Sequence, residues 1–439
     1  MSTRSAEKDK YLLGSALFLA LLIGGGTASG LYTDTIIQIL AVIAAAVVLS
    51  GSSEQKIDRR AFWMLLAIFA LGLIQLVPLP ANLVDPFRAE LLTGNLDSDG
   101  KASLRFVSLG VGRTLECLVY VAAVAGFFLG VLKLRPDQVY ALLPFFFMGV
   151  ICNALAGAIQ YSLVENVSIE GFLPFTIKAG LFANVNHFSA LLFISIPFVV
   201  FFGLFRGHIY SGLAGLIALL LLLLAAGSRA GVLIGLAITL ISVLFLASRS
   251  RTGGFTMLAL FIGMSIYSVG AWSKIDAEVL DPEFGRGEFA ATTVDGIKDN
   301  WLLGVGFGNF EKAYQIYEKE EMIFRSYVNH AHNEYLEIIF EGGVISGVIL
   351  IIYLIILWSA YVKGGRSPFQ KAALLSILFL LVHSLVDYPL RTMALALTFA
   401  YLNAILFHTG FGPRLGKAKD LLEVQHNGEV LLVPIQRPA

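Results

Sequence analysis

The chain is 439 residues long, and 57% of it is hydrophobic against 14% charged, where an ordinary soluble domain has about 45–50% and about 25%. Only a protein that turns apolar surface to lipid needs this balance, so soluble, collagen-like, disordered and disulfide-scaffold classes are excluded. Lys+Arg equal Asp+Glu at 31 each, so no net field recruits nucleic acid or an acidic partner, and membrane lipids are the surroundings to expect.

In chain order, apolar segments that cross or nearly cross a bilayer run over residues 11–32, 35–50, 61–77, 114–132, 138–162, 188–205, 212–227, 230–247, 255–272, 343–361, 372–386 and 392–407. They predict an all-α polytopic membrane protein with about 12 transmembrane helices. Nine helices fall in 1–272, a large loop in 273–334, three helices in 335–407 and a tail in 408–439. The first segment imitates a signal peptide, with Arg4, Lys8 and Lys10 before it and small residues after it. It reads as a retained span, because cleavage would leave eleven spans and an outside terminus. Cys117 and Cys152 lie inside apolar segments and read as small core residues.

Positive charge near span ends resists translocation. With the N-terminus in the cytoplasm, inside segments carry 18 of the Lys and Arg residues and outside segments 13. Six of those 13 lie in the long loop, which escapes the rule, and four lie between Pro78 and Arg113. Short outside loops keep only Lys178, Arg229 and Arg391, each of which needs another reason to be there.

The outside face also collects the polar motifs: Asn184-Val185-Asn186-His187, Gly227-Ser228-Arg229, Asn329-His330-Ala331-His332-Asn333 and Asp387-Tyr388-Pro389-Leu390-Arg391. Arg229 sits in a tight turn at the membrane boundary, where a guanidinium grips a phosphate or diphosphate bidentately or snorkels to fix a helix. His332 begins a helical stretch that leads into the tenth span. At about 100° per residue it shares a face with Tyr335, Leu336 and Ile339, pointing toward the bundle, with Glu334, Glu337 and Glu341 opposite. It suits a general base at the mouth of a membrane cavity, or a core histidine held by a backbone group.

Arg286, Lys298, Lys312, Lys319 and Arg325 read with the loop's acidic residues as solvated helix faces, and the glycine-rich run from Trp301 to Phe310 as a packed turn. Asp97-Ser98-Asp99 resembles a metal-holding Asp-x-Asp but reads as a polar turn, and no cluster has metal-ligand spacing, so no metal is expected.

At His332-Asn333, followed after nine residues by Gly343-Val344-Ile345-Ser346, the sequence resembles the O-antigen ligase family, which includes related polysaccharide polymerases. Gly180 to Phe188, Gly227 to Gly231, Gly285-Arg286, Gly304 to Phe310 and His383 to Tyr388 fit the same pattern, so the resemblance covers roughly residues 180 to 390. Ser346 and Asn300-Trp301 depart from it. The resemblance implies a metal-independent glycosyltransferase without a cofactor, in the bacterial inner membrane, with its large loop and active site in the periplasm. Glycan passes from an undecaprenyl diphosphate carrier to an acceptor hydroxyl, on lipid A core or on a growing glycan. It further implies His332 as catalytic base and Arg229 and Arg286 as diphosphate ligands, with Asn333, Asn186, His187, Asp387 and Arg391 in support.

The leading reading is therefore an O-antigen ligase in lipopolysaccharide biosynthesis, with a polymerase of O-antigen or exopolysaccharide as the alternative. A transporter or flippase is the weakest reading. His383 is the clearest ionisable residue within a span, the halves do not repeat visibly, and the polar chemistry collects on one face.

Overall fold

The computed structural model describes residues 2–51, 55, 57–87, 104–162, 173–246, 286–319, 328–363, 367–408, 410–411, 421–426 and 429–434. Its helices are α1 (Ser2–Ile23), α2 (Tyr32–Ser50), α3 (Arg59–Ile74), α4 (Ala81–Val84), α5 (Val111–Lys133), α6 (Pro136–Tyr140), α7 (Leu143–Ser162), α8 (Val185–Phe205), α9 (Ile209–Ala226) and α10 (Arg229–Leu246). They continue with α11 (Arg286–Asp299), α12 (Phe310–Tyr317), α13 (Glu334–Lys363), α14 (Pro368–His383) and α15 (Met393–Phe407). Helices thus stand over the expected segments, save 255–272, which with Asp97-Ser98-Asp99 and Arg325 lies outside the described residues.

Among the described residues, seven spans are long and apolar enough to cross a membrane: α2, α5, α6 with α7, α8, α9, α10 and α13. The α14 and α15 helices are shorter and apolar. At the centre stand α8, whose spanning window is 83% buried, and α15, which is buried along nearly all its length. Neither has a polar face, because neither meets water. At the periphery α9 buries only 17% of its window and turns Leu213, Ile217 and Leu221 outward, as a lipid-facing helix must. Small residues bring α2 and α5 together, with a Cβ on Gly126 meeting that of Ala45 at 3.3 Å.

Two small antiparallel pairs qualify the all-α expectation. Strand β1 (Pro78–Pro80) pairs with β2 (Leu104–Phe106), and β3 (Leu421–His426) with β4 (Glu429–Pro434) in the segment expected as a plain tail. Between β3 and β4 the sequence reads Asn427-Gly428, a strong two-residue hairpin signal.

The feature that shapes the site is a break in α13 at Gly343, whose φ of 64° and ψ of −166° interrupt the helix. It falls where the tenth span was expected to begin. The glycine-rich turn packs into this break. Val305 N donates to Phe340 O at 3.0 Å, Gly306 N to Glu341 O at 2.9 Å and Val344 N to Trp301 O at 2.7 Å. A side chain on Gly304 would strike the Glu341 carbonyl, and Gly304 itself has φ of 69°. Ser346, three residues past the break, donates to the carbonyls of Ile338 at 2.8 Å and Gly343 at 2.7 Å.

Candidate active site

Four segments distant in sequence are drawn together by capping and turn chemistry. Asn184 caps α8, its Oδ1 accepting Asn186 N at 2.8 Å, which sets His187 in the first turn with no exposure. Gly227, at φ of 73°, ends α9. Ser228 accepts Gly231 N at 3.0 Å and donates to Asn186 Oδ1 at 2.7 Å, so Arg229, first residue of α10, starts one residue from a bond to the neighbour of His187. Asn333 caps α13, accepting Tyr335 N and Leu336 N at 3.1 Å each. Just before it, His332 has φ of 50°, the sole non-glycine in the left-handed region among the described residues. Glu334 N donates to Ser384 O at 2.9 Å and Tyr335 Oη to Leu381 O at 2.6 Å, stitching the start of α13 to the end of α14.

Asp387 stands where these segments meet. Its Oδ1 lies 3.6 Å from His187 Nε2 and 3.7 Å from His332 Nδ1. Asp387 and His187 are fully buried, whereas His332 keeps 20% side-chain exposure. Tyr388 N donates to the same carboxylate oxygen at 2.9 Å, and its ring is met edge-on by His187 and His332, with centroids at 4.9 and 5.0 Å. His330 lies over it at 4.1 Å. Helix α11 supplies Arg286, whose Nη1 donates to the Val386 carbonyl at 3.1 Å, and, one turn on, Phe289 against the His332 ring at 5.8 Å. His383, buried at the end of α14, meets Phe193 edge-on at 5.4 Å.

Burial alone would push the Asp387 carboxyl up, but the His187 and His332 side chains facing it reverse this and hold it well below the usual carboxylate range. Burial and then the Asp387 charge push the Tyr388 hydroxyl up to about 12. The cluster is also short of hydrogen bonds. Both ring nitrogens of His187 and His383, Nδ1 of His332 and Oδ2 of Asp387 are buried without a partner. Such groups are rare in folded proteins, and a catalytic role is one of the reasons for keeping them.

Beside this cluster the three glutamates of α13 correct an expectation. Glu334, Glu337 and Glu341 were placed opposite the bundle-facing side, yet they are 3%, 0% and 1% exposed. Partners from far along the chain pull them in. Ser384 Oγ donates to Glu334 at 2.6 Å, and Arg391 Nη2 lies 3.4 Å from Glu337 and 3.0 Å from Glu341. Glu341 also accepts Gly308 N at 2.8 Å and Phe310 N at 3.3 Å, while Glu337 lies 2.8 Å from His330 Nδ1 and accepts Ala331 N at 3.0 Å. Burial would lower the Arg391 pKa, but the Glu337 and Glu341 charges raise it well above the ordinary value. This ion pairing gives Arg391 a role that the charge count along the sequence did not supply.

With this geometry in view, comparison with known families adds one finding: residues 214–352 match the family model described as O-antigen ligase. The family resemblance read from the sequence is borne out. No curated protein matches the chain. The O-antigen ligase match supports a ligase- or polymerase-like membrane enzyme with glycosyltransferase-like activity, and implies a lipid-linked glycan donor and an acceptor in the membrane. Within the matched stretch lie Arg229, Arg286, His330, His332, Asn333 and the three glutamates. His187, Asp387 and Arg391 lie outside it and rest on geometry.

Of the residues singled out in the sequence, the structure brings together His332, His187 and Asp387, with Arg286 bonded to Val386, the residue before Asp387, and Asn186 bonded to Ser228, the residue before Arg229. Asn333 serves as a helix cap and Arg391 as an ion-pair centre. Arg286 is half-buried instead of lying on a solvated face, whereas Lys298 does make an exposed pair with Asp295 at 2.8 Å. His330, Glu337, His383 and Tyr388 were named in the sequence reading but given no role in the site. The signal available was a charge balance: three glutamates at the mouth of an apolar span and an unexplained arginine in a short outside loop.

Proposed function

We propose that the protein is a membrane glycosyltransferase that moves a glycan from an undecaprenyl diphosphate carrier to an acceptor hydroxyl at the periplasmic face of the bacterial inner membrane. The acceptor we favour is lipid A core, as in an O-antigen ligase. The observation that carries the reading is the pairing of the partly exposed His332 with the buried Asp387. An ionised Asp387 favours the tautomer with the proton on Nδ1, leaving Nε2 of His332 free to accept a proton.

The acceptor oxygen attacks the anomeric carbon as its proton passes to His332 Nε2. The bond from that carbon to the diphosphate oxygen breaks, its electron pair stays on the diphosphate, and the configuration at carbon inverts. Arg229 and Arg286 are the cations assigned to the leaving diphosphate, for which fixed guanidinium groups need no metal ion. Support comes from their attachment: Ser228, before Arg229, bonds to Asn186, and Arg286 bonds to the residue before Asp387. A polymerase of O-antigen or exopolysaccharide would use the same donor and steps with a growing glycan as acceptor.

The test is transfer by the purified full-length protein from a defined undecaprenyl diphosphate glycan, offered lipid A core and a lipid-linked glycan in separate reactions. Product on lipid A core supports the ligase, product on the lipid-linked glycan the polymerase, and product on neither overturns the proposal.

A further inference from the structure

Two cavities share part of their walls, and His330 borders the second. The first, about 370 Å³, is bounded by α3, α5, α13 and α15 and is almost wholly apolar, with Met64, Ile68, Val124, Phe128, Tyr353 and Phe399 in its wall. The second, about 650 Å³, is polar and includes the turn between α1 and α2, the start of α5, the glycine-rich turn and His330. Tyr120, Val121, Phe307, Glu334, Ile338 and Leu390 belong to both walls, so the apolar space adjoins the polar one.

Protein interiors are close-packed, and a dry apolar cavity of roughly 150 Å³ already takes up small hydrocarbons. A void more than twice as large, set among helices within a membrane protein, is matched by a hydrocarbon chain. The polar end differs from what a diphosphate requires. Carboxylates supply its charge through Asp34, Glu116, Glu311, Glu334, Glu337 and Glu341, against Arg113, Lys312 and Arg391. Arg391 is already set between Glu337 and Glu341, and Arg113 lies 3.3 Å from Glu116. Carboxylates accept hydrogen bonds from sugar hydroxyls and repel phosphate. His330 in this wall lies over the same Tyr388 ring as His332, which sets the polar end beside the base.

We propose that this joined cavity is the acceptor site, taking a glycolipid with its hydrocarbon chain between α3, α5, α13 and α15 and an uncharged, hydroxyl-bearing sugar beneath His330. The assignment rests on the glycosyl-transfer reading, which it deepens by separating acceptor from donor. The anionic donor belongs with Arg229 and Arg286, neither of which borders the two cavities.

The experiment uses full-length protein in phosphatidylcholine nanodiscs and, as probe, a glucosyl diacylglycerol carrying a diazirine in one acyl chain. Photolysis is expected to label Met64, Tyr353 or Phe399, and unlabelled glucosyl diacylglycerol to suppress the labelling while undecaprenyl diphosphate does not. Ala400→Trp and, on another helix, Met64→Trp narrow the cavity. Excluding even two methylenes should weaken the probe by about tenfold, whereas Leu66→Trp, on the outward side of α3, should leave it unchanged. Labelling confined to outward residues such as Leu66 and Ile351, or displacement by undecaprenyl diphosphate, overturns the proposal. Because labelling needs no turnover, an inactive protein that labels as expected would sink the transfer reading and leave the cavity assignment standing.

Discussion

Two clusters of buried charge lie side by side at the mouth of α13, and they differ in how fully they are bonded. Around Arg391, Glu337 and Glu341 the contacts run from 2.8 to 3.4 Å and include backbone donors from the glycine-rich turn and from Ala331. Around Asp387 the imidazoles stand off at 3.6 and 3.7 Å, and several ring nitrogens have no partner. The closed network holds shape: it clamps the His330–Ala331 segment and the break at Gly343. An open one retains unmet hydrogen-bonding capacity, which is what a site that receives and passes a proton needs. Burial and charge, which both clusters share, do not separate scaffold from site; unmet bonding does.

The sharpest way to break this distinction is to remove the base. His332→Ala should cut turnover by roughly 10² to 10⁴, the usual worth of a positioned general base. Donor binding should stay nearly intact, because the base acts on the acceptor hydroxyl. A folded His332→Ala protein that loses donor binding instead would put the histidine in another role. In the closed cluster, Arg391→Met leaves two carboxylates buried without their cation and should destabilise the fold by about 3–5 kcal/mol, read as thermal unfolding. Adding Glu337→Gln and Glu341→Gln should restore much of that stability, since it is the stranded charge that costs. Failure of the triple variant to recover would mean the network is not a saturated ion cluster.

Asp387→Asn probes the link between the two halves of the open cluster. It keeps the shape but removes the charge that favours a proton on Nδ1 of His332, and should lower turnover by on the order of 10², with little change in acceptor KM. The depressed Asp387 pKa adds a sign to this. A carboxylate held low in the folded state stabilises above the ordinary carboxylate range, and that contribution is lost as pH falls through the depressed value. Between pH 5 and 8, by the reference values, its charge is constant, so a change in rate there reports another group. Smaller still, Arg229→Ala should weaken donor binding by about 10- to 100-fold, as loss of a charge-assisted contact does, with Arg229→Lys recovering part because an ammonium restores charge but not the planar fork. Unchanged donor affinity in folded Arg229→Ala would return this arginine to the helix-anchoring reading.

How much of this was legible depended on chain distance. Span positions followed from hydropathy, and the His332-Asn333 and Gly227-Ser228-Arg229 segments from local spacing, because each is a property of a few consecutive residues. The meeting of His187, His332 and Asp387 was not legible, since nothing local ties residues 145 and 55 positions apart to one carboxylate. The glutamates misled for a related reason. A helical wheel sorts charge outward by default, and it takes partners distant in sequence, chief among them Arg391, fifty residues from Glu341, to hold a charged face inward. His332 was read as part of a helix, whereas the Asn333 cap places it just outside, in a left-handed conformation that aims it at Asp387.

The smallest expected effect is none at all, and it bears on the open cluster. Three imidazoles near one carboxylate invite a metal reading, with ring nitrogens of His187 and His332 at 3.6 and 3.7 Å from Asp387 Oδ1. Among the described residues no group of three His, Cys, Asp or Glu is arranged to hold an ion. If the diphosphate is met by Arg229 and Arg286, its charge is offset by groups that are already fixed, and no cation has to shed water to enter. Transfer by the purified protein should therefore proceed at the same rate after treatment with EDTA. A loss of transfer on chelation that Mg²⁺ or Mn²⁺ restores would show that a cation shares the leaving-group role, and would turn the unpartnered nitrogens of His187 and His383 from proton acceptors into candidate ligands.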